Sequence, residues 1–183
     1  MPASEWMRFL NYVEHEVRPQ CRPQRETLRG GPFEWVQTLS GKVFGEKVGP
    51  LIIRFFLQDE YQKGKSRDYD FLFREWKVEL KTGVEHSTPG VFLFEQIRPT
   101  QDWNILLCLG IATKSLIFFV LSRKFVENAI RNQIITSQHP GMGTFWLWTK
   151  PGLSQMLNPY RSAFGPSGWQ GQRLQDALSD IRL

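Results

Sequence analysis

Cysteine is scarce in this chain: only Cys21 and Cys108 occur among 183 residues, with three histidines. No C-x-x-C pair or Cys/His cluster is present, which argues against a zinc site. Two distant cysteines suit a reducing compartment, so a cytoplasmic location is expected. Cys108 lies within an apolar run and is expected to be buried and inert, whereas Cys21 falls in a segment that reads as a linker. Long apolar runs are also missing. Ile105–Ala112 and Leu116–Leu121 are too short to span a bilayer, and the segment around Glu5 has no signal-peptide character. No G-x-x-x-x-G-K-[ST] loop points to ATP use, and no serine sits in a nucleophile elbow. Gly141-Met142-Gly143 lacks the strand–turn–helix setting of a dinucleotide loop. His15, His86 and His139 have no partner spacing for a metal or a triad. Neither an internal repeat nor a low-complexity tract divides the chain.

What remains is ordinary globular composition, 22% charged and 41% apolar, in a chain long enough for one domain with a real core. The formal charge of +5 and pI near 9.4 favour an anionic partner, nucleic acid ahead of a membrane surface.

Ser4 is placed to cap a helix whose apolar stripe is Trp6, Phe9, Leu10, Val13 and Val17, with Pro19 expected to end it. Residues 18–32 read as a linker with four arginines, Arg18, Arg22, Arg25 and Arg29, either a solvated connector or an arm along phosphates. A second helical stretch begins near Phe33 with Val36, Leu39 and Val43 inward. Glu46 falls on the same line, where an unpaired buried charge is costly, so it lies at the edge of the stripe or faces a cation. Gly49-Pro50 bends or restarts the helix, which runs to about Leu57; Gln58–Ser66 is expected as a loop.

The stretch Asp68–Lys81, D-Y-D-F-L-F-R-E-W-K-V-E-L-K, reads as two strands meeting at Arg74-Glu75. Period-two alternation puts Tyr69, Phe71 and Phe73 on one face of the first strand. In the second, Trp76, Val78 and Leu80 share one face, and Lys77, Glu79 and Lys81 the other. Asp70 joins Glu79 and Lys81 if the hairpin register allows it. After the turn-rich segment 82–90, the apolar run Val91–Ile97 fits strand or helix, and a helix over Pro89–Ile97 is favoured. Ile105–Ile111 and Leu116–Leu121 are buried strands. Ser122 can cap a helix over Arg123–Asn132 whose inward positions are Phe125 and Ala129, with Val126 and Ile130 next to them. Thr136–Gly143 reads as loop, Thr144–Thr149 as strand, residues 150–168 as long loops, and Leu174, Ala177, Leu178 and Ile181 as one face of a short helix. Trp146 and Trp148 are expected in the core. Helices before and after a central sheet argue a mixed α/β sandwich.

Two carboxylates and an ammonium at one spot suit phosphodiester hydrolysis. Mg²⁺ needs only one or two carboxylates besides water and phosphate oxygens. Asp70 and Glu79 can supply these, with the Leu80 carbonyl; Glu46 can reach the ion through water. Lys81 can position the attacking water or neutralise charge on the phosphate, and Gln96 can orient either. Lys63, Lys65, Arg67, Arg98, Arg123 and Lys124 flank the site and can hold DNA phosphates on either side of a cut.

This pattern resembles the PD-(D/E)XK nuclease superfamily, whose core is an αβββαβ restriction-endonuclease-like fold with a central mixed sheet flanked by helices. Glu79-Leu80-Lys81 matches the (D/E)XK element, Asp70 the upstream acid, Glu46 the helix-borne glutamate, and Gln96 a glutamine on the helix after the motif. Two departures stand out: Tyr69 replaces the proline before the acid, and no clear first strand precedes Asp70, with Asp68 an alternative ligand. The resemblance implies an Mg²⁺-dependent endonuclease, with Mn²⁺ able to substitute, that cuts double-stranded DNA and leaves a 5′-phosphate, in the style of type II restriction or defence nucleases. A structure-selective repair or junction nuclease and an inactive nucleic-acid-binding module of the same fold are the alternatives. A homodimer would let two single-site chains cut both strands; a monomer nicking twice is the other route. On this reading residues 1–183 form a single nuclease domain, with an N-terminal helix and basic linker (1–32), a catalytic core (33–132) and a C-terminal extension (133–183).

Overall fold

The computed structural model describes residues 4–21, 32, 33, 39 and 43–181, apart from the side chains of residues 151, 152 and 154. Its strands are β1 (Tyr61–Lys63), β2 (Phe71–Phe73), β3 (Trp76–Val84), β4 (Leu93–Ile97), β5 (Ile105–Ile111), β6 (Leu116–Ser122), β7 (Thr136–Ser137), β8 (Phe145–Trp148), β9 (Arg161–Gly165) and β10 (Gly168–Gln170). Seven of them form a mixed sheet in the order β1-β2-β3-β5-β6-β9-β10, and β4-β8-β7 form a second, smaller sheet. β1, β2 and β3 are an antiparallel meander; β3 then runs parallel to β5, and the remaining neighbours are antiparallel.

β5 and β6 are buried along their whole length, which explains their unbroken apolar sequence. Their two faces feed two cores. On one, Leu107, Leu109, Phe118 and Val120 meet Phe9, Ile52, Ile53 and Phe56 of the helical layer. On the other, Leu106, Cys108, Phe119 and Leu121 meet Phe94 and Leu147 of the small sheet and Val126 of helix α4 (Arg123–Arg131).

Helix α1 (Glu5–Tyr12) begins as its sequence requires, with the Met7 N–H donating to Ser4 Oγ at 3.3 Å. It does not end at Pro19. A π-helical turn, Val13–Val17, carries it into α2 (Arg18–Cys21), and the widened turn makes room for the proline ring. Cys21 is thus buried at a helix end rather than placed in a linker, and burial raises its thiol pKa, as it does that of Cys108. Arg22, Arg25, Arg29 and Val36 lie outside the described residues. Helix α3 (Gly49–Leu57) follows a second π turn, Phe44–Val48. Ser122 caps α4 through the Phe125 N–H at 3.2 Å, with Val126 and Ala129 its buried residues.

Other expectations also need correction, among them the loop at Thr136–Gly143, which begins with the short strand β7. The segment before Ile97 is a strand, not a helix: Phe92 and Phe94 point inward at period two, and β4 pairs with β8. The helix expected between β3 and the next sheet strand is therefore absent, and the αβββαβ core is not reproduced in that connection. Gln58–Ser66 contains the short strand β1. Residues 150–168 are not long loops: they hold α5 (Pro151–Leu157) and β9, which joins β6 and buries Ser162, Ala163 and Phe164. Trp146 and Trp148 are half-buried, because Leu147 between them takes the inward position. The C-terminal helix α6 (Leu174–Ser179) buries Leu174 and Leu178 as its spacing predicts. Among the described residues, no helix is long and apolar enough to cross a membrane.

Candidate active site

β2 and β3 turn at Arg74-Glu75, with Arg74 at φ 54°, and pair Phe71 with Val78 and Phe73 with Trp76. Pairing between them stops at Val78, while β3 continues to Val84. Beyond that point β3 is bordered on this side by a cleft of about 1930 Å³ instead of a strand. Leu39, Phe44–Lys47, Pro50, Leu51 and Arg54 from the helical layer line one wall; Leu93, Glu95 and Gln96 of β4 line another. Asp70, Leu80 and Lys81 are on its surface.

Asp70 stands where the register extended by one step meets Glu79. Its position is fixed by backbone bonds. Its N–H donates to the Val78 carbonyl at 3.0 Å, and its carbonyl accepts from the Gly64 N–H at 2.8 Å. Its side chain accepts from the Leu80 N–H, Leu80 N to Asp70 Oδ2 2.7 Å. Gly64 is needed for this approach, since a Cβ there would lie 2.5 Å from the Tyr69 carbonyl oxygen. Asp68, the alternative ligand, is folded into a local turn in which Ser66 Oγ donates to its Oδ2 at 2.7 Å. Tyr69 departs from the expected alternation and packs toward the small-sheet core, because the chain bends between it and Phe71.

Glu79 is 6% exposed, and its Oε1 accepts from Lys81 Nζ at 2.6 Å. Burial pushes the Glu79 carboxyl up from its ordinary range; Lys81 draws it back, and the nearby Asp70 raises it again, leaving it raised. The Leu80 N–H faces the open edge, so its carbonyl, on the same side of an extended strand, faces that edge too. Two carboxylates and a main-chain oxygen thus converge at the place where β3 loses its neighbour. Among the described residues no three of His, Cys, Asp and Glu are close enough to enclose a metal ion. The set present fits Mg²⁺ in the open manner, in which water and substrate oxygens complete the shell.

Glu46 lines the cleft from the π turn Phe44–Val48 and is exposed. The sequence spacing set it on the buried line of Val43. A π turn spreads more residues over each revolution, so Gly45, Glu46 and Lys47 all face outward between buried Phe44 and Val48. Gln96 lines the cleft too, but from a bulge in β4 rather than from a helix, at φ 56° with its N–H donating to Gln138 Oε1 at 3.1 Å.

The basic residues separate. Lys63 lines the cleft; Lys65, Arg67, Arg98 and Lys124 are exposed outside its lining. Arg123 is drawn inward: its guanidinium donates to the carbonyls of Pro99 (2.6 Å), Gln101 (3.0 Å) and Trp103 (3.2 Å) and pairs with Glu127. Lys47, Arg54 and Tyr61 line the cleft without a sequence motif pointing to them, and His86, the histidine nearest the site in sequence, lines it too. Lys47 and Arg54 lie just after Glu46 on the same helical segment, which was the available signal. His86 packs edge-on against Trp148, with ring centroids 5.8 Å apart. No protein-family model matches this chain, and no curated protein matches it.

Proposed function

We propose that this chain is a divalent-metal-dependent nuclease that hydrolyses DNA phosphodiester bonds, in the manner of the PD-(D/E)XK enzymes it resembles. One observation carries the reading: Asp70, buried Glu79 and Lys81 meet at the open edge of β3, beside a cleft lined by Asp70 and Lys81 together with Lys47, Arg54 and Lys63. Asp70, Glu79 and the Leu80 carbonyl would hold Mg²⁺ or Mn²⁺, with Glu46 reaching it through water. Such an ion supplies Lewis acidity toward the phosphate and toward water.

The chain's own groups do the rest. Lys81 is anchored by Glu79, so its ammonium is held in place to orient a water for in-line attack on phosphorus or to neutralise the growing charge on the phosphate oxygens. Attack forms the new P–O bond as the bond to the 3′-oxygen breaks, leaving a 5′-phosphate and a 3′-hydroxyl. Lys47, Arg54 and Lys63 hold neighbouring phosphates. Asp70 is pre-positioned by backbone hydrogen bonds, which spares it reorganisation when substrate binds.

The test is digestion of plasmid DNA with Mg²⁺ and with EDTA, followed by mapping of the ends. Wild-type protein is expected to cut with Mg²⁺ alone, and Glu79→Ala or Lys81→Ala to lose at least about a hundredfold in rate while still binding DNA. Full activity in both variants would overturn the assignment. No cutting with either ion, together with no Mg²⁺ or Mn²⁺ site by calorimetry, would mark a binding module of the same architecture instead.

A further inference from the structure

The small sheet ends in a loop that the chemistry above does not use. β7 and β8 are joined through Gln138–Thr144, closed at its base by the Gln138 N–H donating to the Thr144 carbonyl at 2.8 Å. Within it the Met142 N–H donates to the His139 carbonyl at 3.2 Å, and Ser137 Oγ donates to that same carbonyl at 3.1 Å. Met142 at its tip is 71% exposed, more than Met7 (48%) or Tyr160 (38%). Gly141 (φ 81°) and Gly143 (φ 63°) flank it, and a Cβ on either would meet nothing within 4 Å, so the tip stands clear of the protein.

Three features point the loop toward nucleic acid bases. First, it borders the cleft. Gln138 Oε1 accepts from the N–H of Gln96, a cleft-lining residue, and β8 pairs with β4 beside it. Second, the chain from Asn132 to Trp148 carries no Asp, Glu, Lys or Arg, although such residues make up 22% of the protein. A surface without cations beside a cleft containing Lys47, Arg54 and Lys63 is poorly suited to phosphates, but its His139 and Thr144 are groups that can meet base edges. Third, an unbranched apolar side chain on an anchored loop is of the kind that wedges between base steps.

We propose that the Gln138–Thr144 loop enters a groove of the duplex held at the Asp70–Glu79–Lys81 cleft, with Met142 as an apolar wedge that unstacks a base step near the cut. This rests on the nuclease reading above. The side chain is mostly exposed, so substituting it leaves the core packing unchanged.

The experiment begins by mapping the position at which wild-type protein cuts. A short duplex spanning it then carries 2-aminopurine at the steps flanking the cut, and binding is followed in EDTA. Wild-type protein is expected to raise 2-aminopurine fluorescence. Met142→Ala should abolish the rise and bind the duplex at least about tenfold more weakly, with affinity for the matching single strand unchanged. Met142→Leu should restore both. Unaltered duplex affinity and fluorescence in Met142→Ala, while cutting persists, would overturn this proposal alone. A changed oligomeric state in Met142→Ala with unaltered DNA binding would overturn it as well, assigning the residue to a contact between copies. Absence of any cut would remove the nuclease reading and this proposal together.

Discussion

The cleft has two dissimilar sides. The β2–β3 side is built from residues close in sequence, and its geometry is dictated by a hairpin: Phe71 faces Val78, and Asp70 is held by Val78, Leu80 and Gly64. The β4–β8–β7 side is assembled across long separations, with Leu93 opposite Trp148 and Phe94 opposite Leu147, and it presents Gln96 from a bulge. A hairpin with a two-residue turn admits few registers, so it can place reactive groups within tight tolerances. A sheet assembled from distant segments gains its shape from packing, and it suits contacts that tolerate adjustment. Under the proposed function, chemistry falls to the first side and base recognition to the second.

That division is most sharply broken at Gly64. An added Cβ would meet the Tyr69 and Asp70 carbonyl oxygens at 2.5 and 2.9 Å and drive Asp70 from its place. Gly64→Ala is expected to slow plasmid cutting by about a hundredfold while leaving DNA affinity, measured by anisotropy, near wild type. Comparable cutting by the variant would show that Asp70 does not need this placement.

A smaller effect should come from pH. The folded state raises the Glu79 pKa, so it holds that proton more tightly than the unfolded chain does. The group therefore favours folding below the ordinary carboxylate range, and that contribution is lost as pH rises through its raised value. Metal binding requires the carboxylate and runs the other way. Calorimetric Mg²⁺ affinity should climb about tenfold per pH unit until the Glu79 proton is gone, then level off. Glu79→Gln should bind weakly and show no such climb; an unchanged profile in that variant would assign the titration elsewhere.

The least disruptive comparison sets two basic residues against each other. Lys63→Ala should lower the slope of log affinity against log salt by about one and leave unfolding unchanged. Arg123→Ala should do the reverse, keeping the slope and costing about 1–3 kcal/mol in urea unfolding, because three backbone carbonyls lose their donor. A salt effect from Arg123 would return it to the DNA-facing set.

The parts of this arrangement legible in the sequence are those governed by local periodicity. Alternation in Trp76–Lys81 placed Glu79 and Lys81 on one side, and the turn at Arg74-Glu75 brought Asp70 beside them. The choice between Asp68 and Asp70 depended on register: Asp70 is the one that comes beside Glu79, its N–H donating to the Val78 carbonyl and its carboxylate accepting from the Leu80 N–H. The strand β4 escaped because V-F-L-F-E-Q-I is short and apolar, satisfying either period, and its partner Phe145–Trp148 is distant along the chain. Residue spacing puts Glu46 on the line of Val43, at its edge or facing a cation; the exposed, cleft-lining position it takes comes from a π turn, which leaves no mark in residue spacing. Arg123 read as a free cation because nothing in its neighbours announces carbonyls arriving from Pro99, Gln101 and Trp103.

The point at which β2 stops while β3 continues is also an interrupted ladder. Unpaired strand edges recruit foreign strands, and proteins protect themselves by blocking or covering such edges. Here the blocking group is a carboxylate: Asp70 occupies the Leu80 N–H that another chain would otherwise seek. Protection of this strand edge and the proposed chemistry therefore rest on one side chain. Loss of the Asp70 carboxylate exposes a backbone donor to assembly, a cost that loss of the Lys81 ammonium does not carry.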